Sequence, residues 1–307
     1  MRARVTVRVP GSTSNLGAGF DCVGVAVDRW LAVTVNVTEK GKTGPTVERR
    51  GTLSVLDVPP DRDLLIRGVA AACGKAGRTV PTGLSVIAES DIPIARGLGS
   101  SAAATVAGAA AANALLGLDL DHDDLTALCA ELEGHPDNVA PAVHGGARLV
   151  LPAAPPNGPI VASLVVHDSI ALVFAVPDFT VETKRARAAL PATLPHEVAV
   201  RAAAKAAALV QGLAHADARL LAAALDDVLH VPFRLQLVPG YAEVTAAAAA
   251  AGAYGATLSG SGPTVVAVTP RSHADAVSNA MVRAWRARGT VAESFVTARP
   301  AAGFQID

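Results

Sequence analysis

The segment DIPIARGLGSSAAATVAGAAAAN, residues 91–113, places glycines and serines directly ahead of a long alanine-rich run. Alanine has the highest helix propensity, so the run predicts a packed helix over about residues 102–116. At the start of a helix several N–H groups lack intrahelical partners, and the aligned peptide dipoles place roughly +0.5 of a charge there. An anion fits that end. Gly97 and Gly99 allow close approach of the backbone, and Ser100 and Ser101 can cap the helix or offer hydroxyls to a phosphate or a phosphate-bound Mg²⁺. Taken alone, the join is equally consistent with a glycine turn and a serine N-cap. A Walker A loop is excluded, because no lysine precedes either serine. GLGSSA matches the loose G-x-G-x-x-A dinucleotide pattern, but Pro93 and further loop residues separate it from the strand expected at LSVIAES.

The charge balance asks for local rather than global anion binding. Lys plus Arg number 26 against 27 Asp plus Glu, a formal net charge of −1, so no overall field points to nucleic acid or an anionic membrane. With 307 residues and 51% hydrophobic content, the chain can bury a large core divided between two domains. Cys22, Cys73 and Cys129 are odd in number and lack CxxC spacing, which argues against a disulfide framework and a structural zinc site and fits a reduced, cytoplasmic setting. The N-terminal MRARVTVRVPGS alternates like a strand and has no apolar signal-peptide region, and no uncharged apolar run has the length and non-alanine character of a membrane span.

Alternation in RARVTVRV and the β-branched LAVTVNVTE predict two strands flanking a functional loop at residues 10–20. DLLIRGVAAACGKAG reads as a helix, GLSVIAES as a strand, DLDHDDLTALCAELEG as a helix capped by Asp121, and GGARLVLP as a strand. LPAAPPNGPI has the composition of a linker, and the domain division is placed there, at 1–155 and 156–307. The second half predicts two strands at IVASLVVH and IALVFAVP, alanine-rich helices over about residues 197–229 and up to Gly252, a glycine loop entering a strand at GATLSGSGPTVVAV, and a surface helix at HADAVSNAMVRAWRARG. Strands and helices mix without strict βαβ alternation, so the class is α+β.

Four segments in order, PGSTSNLGAGFD, PIARGLGSSAA, EGHPDNVAPAVHGG and LSGSGPTV, resemble the GHMP kinase superfamily of small-molecule kinases. Within it, STSNLGAGFD, EGHPDNVAPA, VETKRARAALP and HVPFRLQLVPG are similar to the homoserine kinases, and the resemblance covers nearly the whole chain. It implies a two-lobed fold, with a left-handed βαβ unit in the N-terminal lobe and a ferredoxin-like C-terminal lobe. It also implies ATP-dependent phosphorylation of the L-homoserine side-chain hydroxyl in threonine biosynthesis, with Mg²⁺, by a cytoplasmic homodimer.

Phosphoryl transfer depends on placement and charge stabilisation more than on covalent help. By resemblance, Pro93, Ile94, Ala95, Arg96, Gly97, Leu98, Gly99, Ser100, Ser101 and Ala102 wrap the ATP phosphates, with Ser101 and Glu133 on the metal and Glu131 as a substitute. Asp63 in DRDLLIRG stands where many relatives carry Asn at the adenine site, and a carboxylate cannot donate as an amide does. The resemblance also implies Asp137 as general base, with Asn138 and Asp21 completing the catalytic set. Asn15, Asp21 and Asn138 orient the amino and hydroxyl groups of the acceptor, and His135, Thr183 and Gly260 complete its pocket. The resemblance implies that Arg187 and Arg234 clamp the acceptor carboxylate through paired guanidinium hydrogen bonds; without it either reads as a surface arginine. HPDN and DHDD each lack the third ligand of a transition-metal site. A kinase for another small alcohol and a non-catalytic nucleotide sensor are the competing readings; the arginine pair argues against the first and the complete polar set against the second.

Overall fold

The structure is a computed structural model that describes residues 3–37, 44–151 and 158–307. The first half runs β1 (Arg4–Asn15), β2 (Gly19–Val37), β3 (Thr46–Gly51), α1 (Leu64–Lys75), β4 (Leu84–Ser90), α2 (Ser100–Leu116), α3 (His122–Glu133), α4 (Val139–His144), β5 (Ala147–Leu151) and β6 (Ile160–Leu164). The second runs β7 (Ile170–Pro177), α5 (Thr183–Ala188), α6 (His196–His215), α7 (Ala218–Leu225), α8 (Val231–Arg234), α9 (Tyr241–Ala250), β8 (Gly255–Leu258), β9 (Val265–Pro270), α10 (Ala274–Ala287), β10 (Ala292–Thr297) and β11 (Gln305–Ile306).

Period-two burial builds the first sheet. Val5, Val7 and Val9 of β1 turn inward and pair across the hairpin with β2, which continues to β4 along one stretch and to β5 along another. The path is β11-β1-β2-β4-β3, with β5 and β6 branching from β2. β3 and β4 are parallel and are connected through α1, which makes the βαβ unit of this lobe. The second sheet is antiparallel, in the order β10-β7-β9-β8. Counted along the chain its strands lie 4-1-3-2, the ferredoxin-like arrangement. Ile170, Leu172, Phe174 and Val176 of β7 face the core that also holds the first sheet and α2, whereas Ala171, Val173 and Ala175 face a second core around Trp285. Burial on both faces explains the uninterrupted apolar run IALVFAV.

Three differences from the sequence reading have physical causes. Residues 10–15, expected in a loop, continue β1, because the buried Ser12, Thr13 and Ser14 pair with Ala26, Val25 and Gly24 of β2. The helical run from about residue 197 breaks at Ala216, which is left-handed (φ 54°), and restarts with Asp217 accepting from the N–H groups of Arg219 and Leu220. The division between residues 155 and 156 falls outside the described residues; the strands on either side of it, β5 and β6, pair with each other, so residues 160–164 extend the first sheet. Among the described residues no helix is long and apolar enough to cross a membrane.

The alanine-rich α2 packs so closely on α1 that backbone meets backbone. A Cβ on Gly108 would lie 2.0 Å from the carbonyl oxygen of Leu65, and one on Gly68 would lie 2.3 Å from that of Thr105. Gly108→Ala therefore sets a helix-propensity gain of about 1 kcal/mol against an overpacking cost of roughly 1–3 kcal/mol. The rigid carbonyl makes the cost prevail: urea denaturation is expected to show a lower midpoint for Gly108→Ala, and an equal or higher midpoint would show that the helices separate freely.

Candidate active site

A cavity of about 410 Å³ opens where the segment between β4 and α2 meets residues from both lobes. In that segment Ala95, Gly97 and Gly99 are left-handed, with φ of 52°, 73° and 67°. The glycines answer to protein neighbours. A Cβ on Gly97 would lie 2.1 Å from the Ser259 carbonyl oxygen, and one on Gly99 would lie 2.1 Å from Ser12 Oγ. Ser259 Oγ donates to the Gly97 carbonyl (2.6 Å), and the Ser12 N–H donates to that of Leu98 (3.1 Å). Gly99 is the N-cap of α2 and no side chain caps that end, so the serines do not act as caps; Ser100 and Ser101 occupy the first turn.

Of the residues expected around phosphate, Ile94, Ala95 and residues 97–101 line the cavity, whereas Pro93, Arg96 and Ala102 do not. Arg96 instead ties the loop to the second lobe, donating to the carbonyls of Pro177 (2.9 Å) and Asp178 (2.7 Å). Ala102 is buried in the core.

Beside the first turn of α2, Ser101 Oγ donates to Glu133 Oε2 (2.7 Å) at the end of α3. Thr105 Oγ1, one turn further along α2 and absent from the sequence reading, donates to Glu133 Oε1 (2.7 Å) and fixes the carboxylate. Neither Glu131 nor Glu133 is among the residues that line the cavity; Glu133 meets it through the hydroxyl of Ser101, which does. Among the described residues no group of three or more His, Cys, Asp or Glu side chains could hold a metal. A hydroxyl beside a single carboxylate suits a hard cation that keeps most of its oxygen ligands from phosphate and water.

The polar part of the cavity joins segments far apart in sequence. Asp137 is buried, and its Oδ1 lies 2.9 Å from His135 Nδ1 and accepts from the Asn138 N–H (3.0 Å); Oδ2 accepts from no described residue. Asn138 Nδ2 donates to Ser14 Oγ (3.0 Å), and its Oδ1 accepts from Ser12 Oγ (2.9 Å). At the end of β1 and near the start of β2, Asn15 (φ 75°) and Asp21 (φ 54°) take left-handed conformations that Asn and Asp tolerate. Asn15 Nδ2 donates to the Gly260 carbonyl (2.8 Å) and Asn15 Oδ1 accepts from the Asp21 N–H (3.0 Å).

The two arginines differ in kind. Arg187, partly exposed on α5, forms a two-bond pair with Asp21 (3.1 and 3.0 Å). Arg234 is 2% exposed and forms no ion pair among the described residues. Its Nε donates to the Ala186 carbonyl (3.2 Å) and its Nη1 to His230 Nδ1 (3.0 Å) and the Gly260 carbonyl (3.2 Å). Nη2 has no acceptor among the described residues. Burial, with Arg187 nearby, draws the Arg234 pKa down to about 10, which leaves it cationic at neutral pH. Thr183 Oγ1 lies 3.4 Å from Ser261 Oγ, and both residues line the cavity.

An apolar slot lined by Leu53, Leu56, Val58 and Leu64 continues the same cavity. The sequence reading missed the first three, because Leu53 lies in a single 3-10 turn at residues 52–55 and Leu56 and Val58 in the irregular chain after it, too short for any periodicity to show. Asp63 borders this slot, but its Oδ1 accepts from the N–H groups of Leu65 (2.8 Å) and Ile66 (3.4 Å) as the N-cap of α1, and its Oδ2 is bound by Arg49. The carboxylate that stands in for the expected amide is thus engaged by its own helix and an arginine.

The family "GHMP kinases N terminal domain" matches residues 63–146, and "GHMP kinases C terminal" matches residues 208–287. A homoserine kinase of Gloeobacter violaceus is 44% identical over 283 residues, spanning 91% of this chain and 92% of that protein. One from a Synechococcus strain is 41% identical over 305 residues, 99% of this chain and 98% of that one. The crystal structure of homoserine kinase from Cytophaga hutchinsonii superposes with a TM-score of 0.89 at 30% identity, covering 100% of this chain and 98% of that one.

His135 is held above its ordinary pKa of 6.5, mainly by the hydrogen bond to Asp137 and against the effect of burial. Its stabilising contribution is complete below about pH 6.5 and is lost as pH rises through the raised folded value. Asp137→Asn is expected to lower the His135 midpoint in an NMR titration; an unmoved midpoint would show that the carboxylate does not set it.

Proposed function

Because the chain belongs to the homoserine kinases of the GHMP kinase family, we propose that it phosphorylates the side-chain hydroxyl of L-homoserine with ATP, through the cavity residues described above. The observation that carries this reading is the buried Arg234, a cation without a carboxylate partner. A buried charge is costly unless something pairs with it, and the carboxylate of an amino-acid substrate would do so.

The site matches both partners of the reaction. The Asp21–Arg187 pair offers a carboxylate to an ammonium and a guanidinium to a carboxylate, which suits the zwitterionic end of homoserine. The Oδ2 of Asp137 would orient the acceptor hydroxyl and take its proton as the oxygen–phosphorus bond forms and ADP leaves, while Asn138, held by Ser12 and Ser14, fixes the Asp137 carboxylate through its N–H. A loose transition state needs little deprotonation before that point, so placement of the hydroxyl matters more than the basicity of Asp137. The uncapped start of α2 would receive the phosphates, and the slot at Leu53 and Val58 the base. Mg²⁺ would be held by Ser101 Oγ and a Glu133 oxygen. When bound, it supplies charge neutralisation at the phosphates.

ADP release should be rapid with L-homoserine and slow with 3-aminopropan-1-ol, which lacks the carboxylate, and with mevalonate or galactose; equal rates for the first two would overturn the proposal. Loss of a charged hydrogen-bonding partner makes Arg234→Leu raise the homoserine KM roughly 10- to 100-fold with the ATP KM little changed. Ser101→Ala should weaken use of Mg·ATP more than homoserine binding in the same assay, and equal losses would remove Ser101 from the metal site.

A further inference from the structure

His230 lies at the N-cap of α8, one helical turn before Arg234, and is completely buried. Its backbone is fixed by Asp227, whose carboxylate accepts from the N–H groups of Leu229 (3.0 Å), His230 (2.7 Å) and Val231 (2.8 Å). The ring stacks on Phe20, with centroids 4.8 Å apart and planes within 20°. Its two nitrogens meet opposite partners. Nε2 lies 3.2 Å from the Gly17 carbonyl, which can only accept, so the ring proton is on Nε2. Nδ1 lies 3.0 Å from Arg234 Nη1, which can only donate, so Nδ1 is bare. Both contacts require the same neutral tautomer.

We propose that His230 is the positioning residue for the carboxylate end of the site: its bare Nδ1 holds the Arg234 guanidinium in the orientation that leaves Nη2 for the acceptor. The assignment rests on the reading of Arg234 given above. The hydrogens on Nη1 go to His230 and to the Gly260 carbonyl, and Nε goes to the Ala186 carbonyl. All three acceptors are neutral, so they fix the plane of the guanidinium without cancelling its charge. An imidazolium would instead turn an N–H toward a cation. Burial above all, with Arg234 beside it, opposes protonation and outweighs the pull of Asp227 Oδ2, 3.7 Å from Nε2, and of Asp21, so the His230 pKa is held well below 6.5. The Nε2 bond reaches the turn between β1 and β2, so the ring also joins the Arg234 helix to the segment that carries Asn15 and Asp21.

Asparagine and glutamine separate the two functions of the ring. His230→Asn keeps an acceptor near the Nδ1 position, whereas His230→Gln keeps only a donor near Nε2, and His230→Leu keeps neither. KM for L-homoserine and for ATP would be measured for the three variants, with 3-aminopropan-1-ol tested as acceptor or, through its Ki, as competitor. His230→Gln and His230→Leu are expected to raise the homoserine KM about tenfold, the scale of a lost hydrogen bond to a charged group. Their ATP KM and their handling of the carboxylate-free analogue should stay near wild type, and His230→Asn should recover most of the homoserine affinity. Equal losses in the Asn and Gln variants, or equal losses on both acceptors, would assign His230 to structure alone and overturn the inference. A wild-type enzyme that does not distinguish the two acceptors would instead overturn the role of Arg234 beneath it.

Discussion

The grip of both lobes on the loop that starts α2 is the constraint on which the site depends. Ser12 from the first sheet and Ser259 from the second lobe hold the carbonyls of Leu98 and Gly97, and the same two residues occupy the space where side chains at 97 and 99 would lie. The helix end is therefore presented by backbone that cannot shift without disturbing both sheets. Electrostatic stabilisation of a transferring group is effective when its donors are fixed beforehand, and this arrangement fixes them during folding. Arg96 strengthens the same attachment from the outside of the loop.

Charge is distributed in the cavity according to burial. Where solvent reaches, at Arg187 and Asp21, opposite charges face each other. Where it does not, Arg234 is surrounded by carbonyls and a neutral imidazole. The carboxylates follow a similar division. Both oxygens of Asp227 are taken by N–H groups of its own segment, and those of Asp63 by its own helix and Arg49, whereas Asp137 keeps one oxygen free of described donors and Glu133 is met by two hydroxyls. Residue type alone does not reveal which carboxylate keeps a free oxygen; the partners do.

Much of this was legible in the sequence because the motifs are local. The glycine-serine join, the Asp121 cap and the alternation of β1 each carry their signal within a few residues. What was not legible depends on pairing over distance. Asn15 and Gly260, 245 positions apart, are hydrogen-bonded. The Pro/Gly composition of residues 151–160 reads alike for a linker and for the connection between paired strands, and only the β5–β6 register distinguishes them. Arg234 on a four-residue helix has no periodic pattern to mark it as buried. Asp63 carries a readable cap signal, a short acidic residue just before LLIRG, and the structure shows it as the N-cap of α1.

One core runs from the first sheet through α2, α6 and α7 to one face of β7, so apolar packing crosses between the lobes without a break. Beside the polar contacts at the cavity, lobes that share buried apolar surface in this way have less freedom for hinge motion than lobes joined by a polar seam alone. Domain closure is then a poor means of shutting out water here, and exclusion falls to the ligands themselves as they fill a recess whose walls are already in place. To the extent that these walls stay in place, the entropy of assembling the recess is settled once, when the chain folds, and not at every turnover.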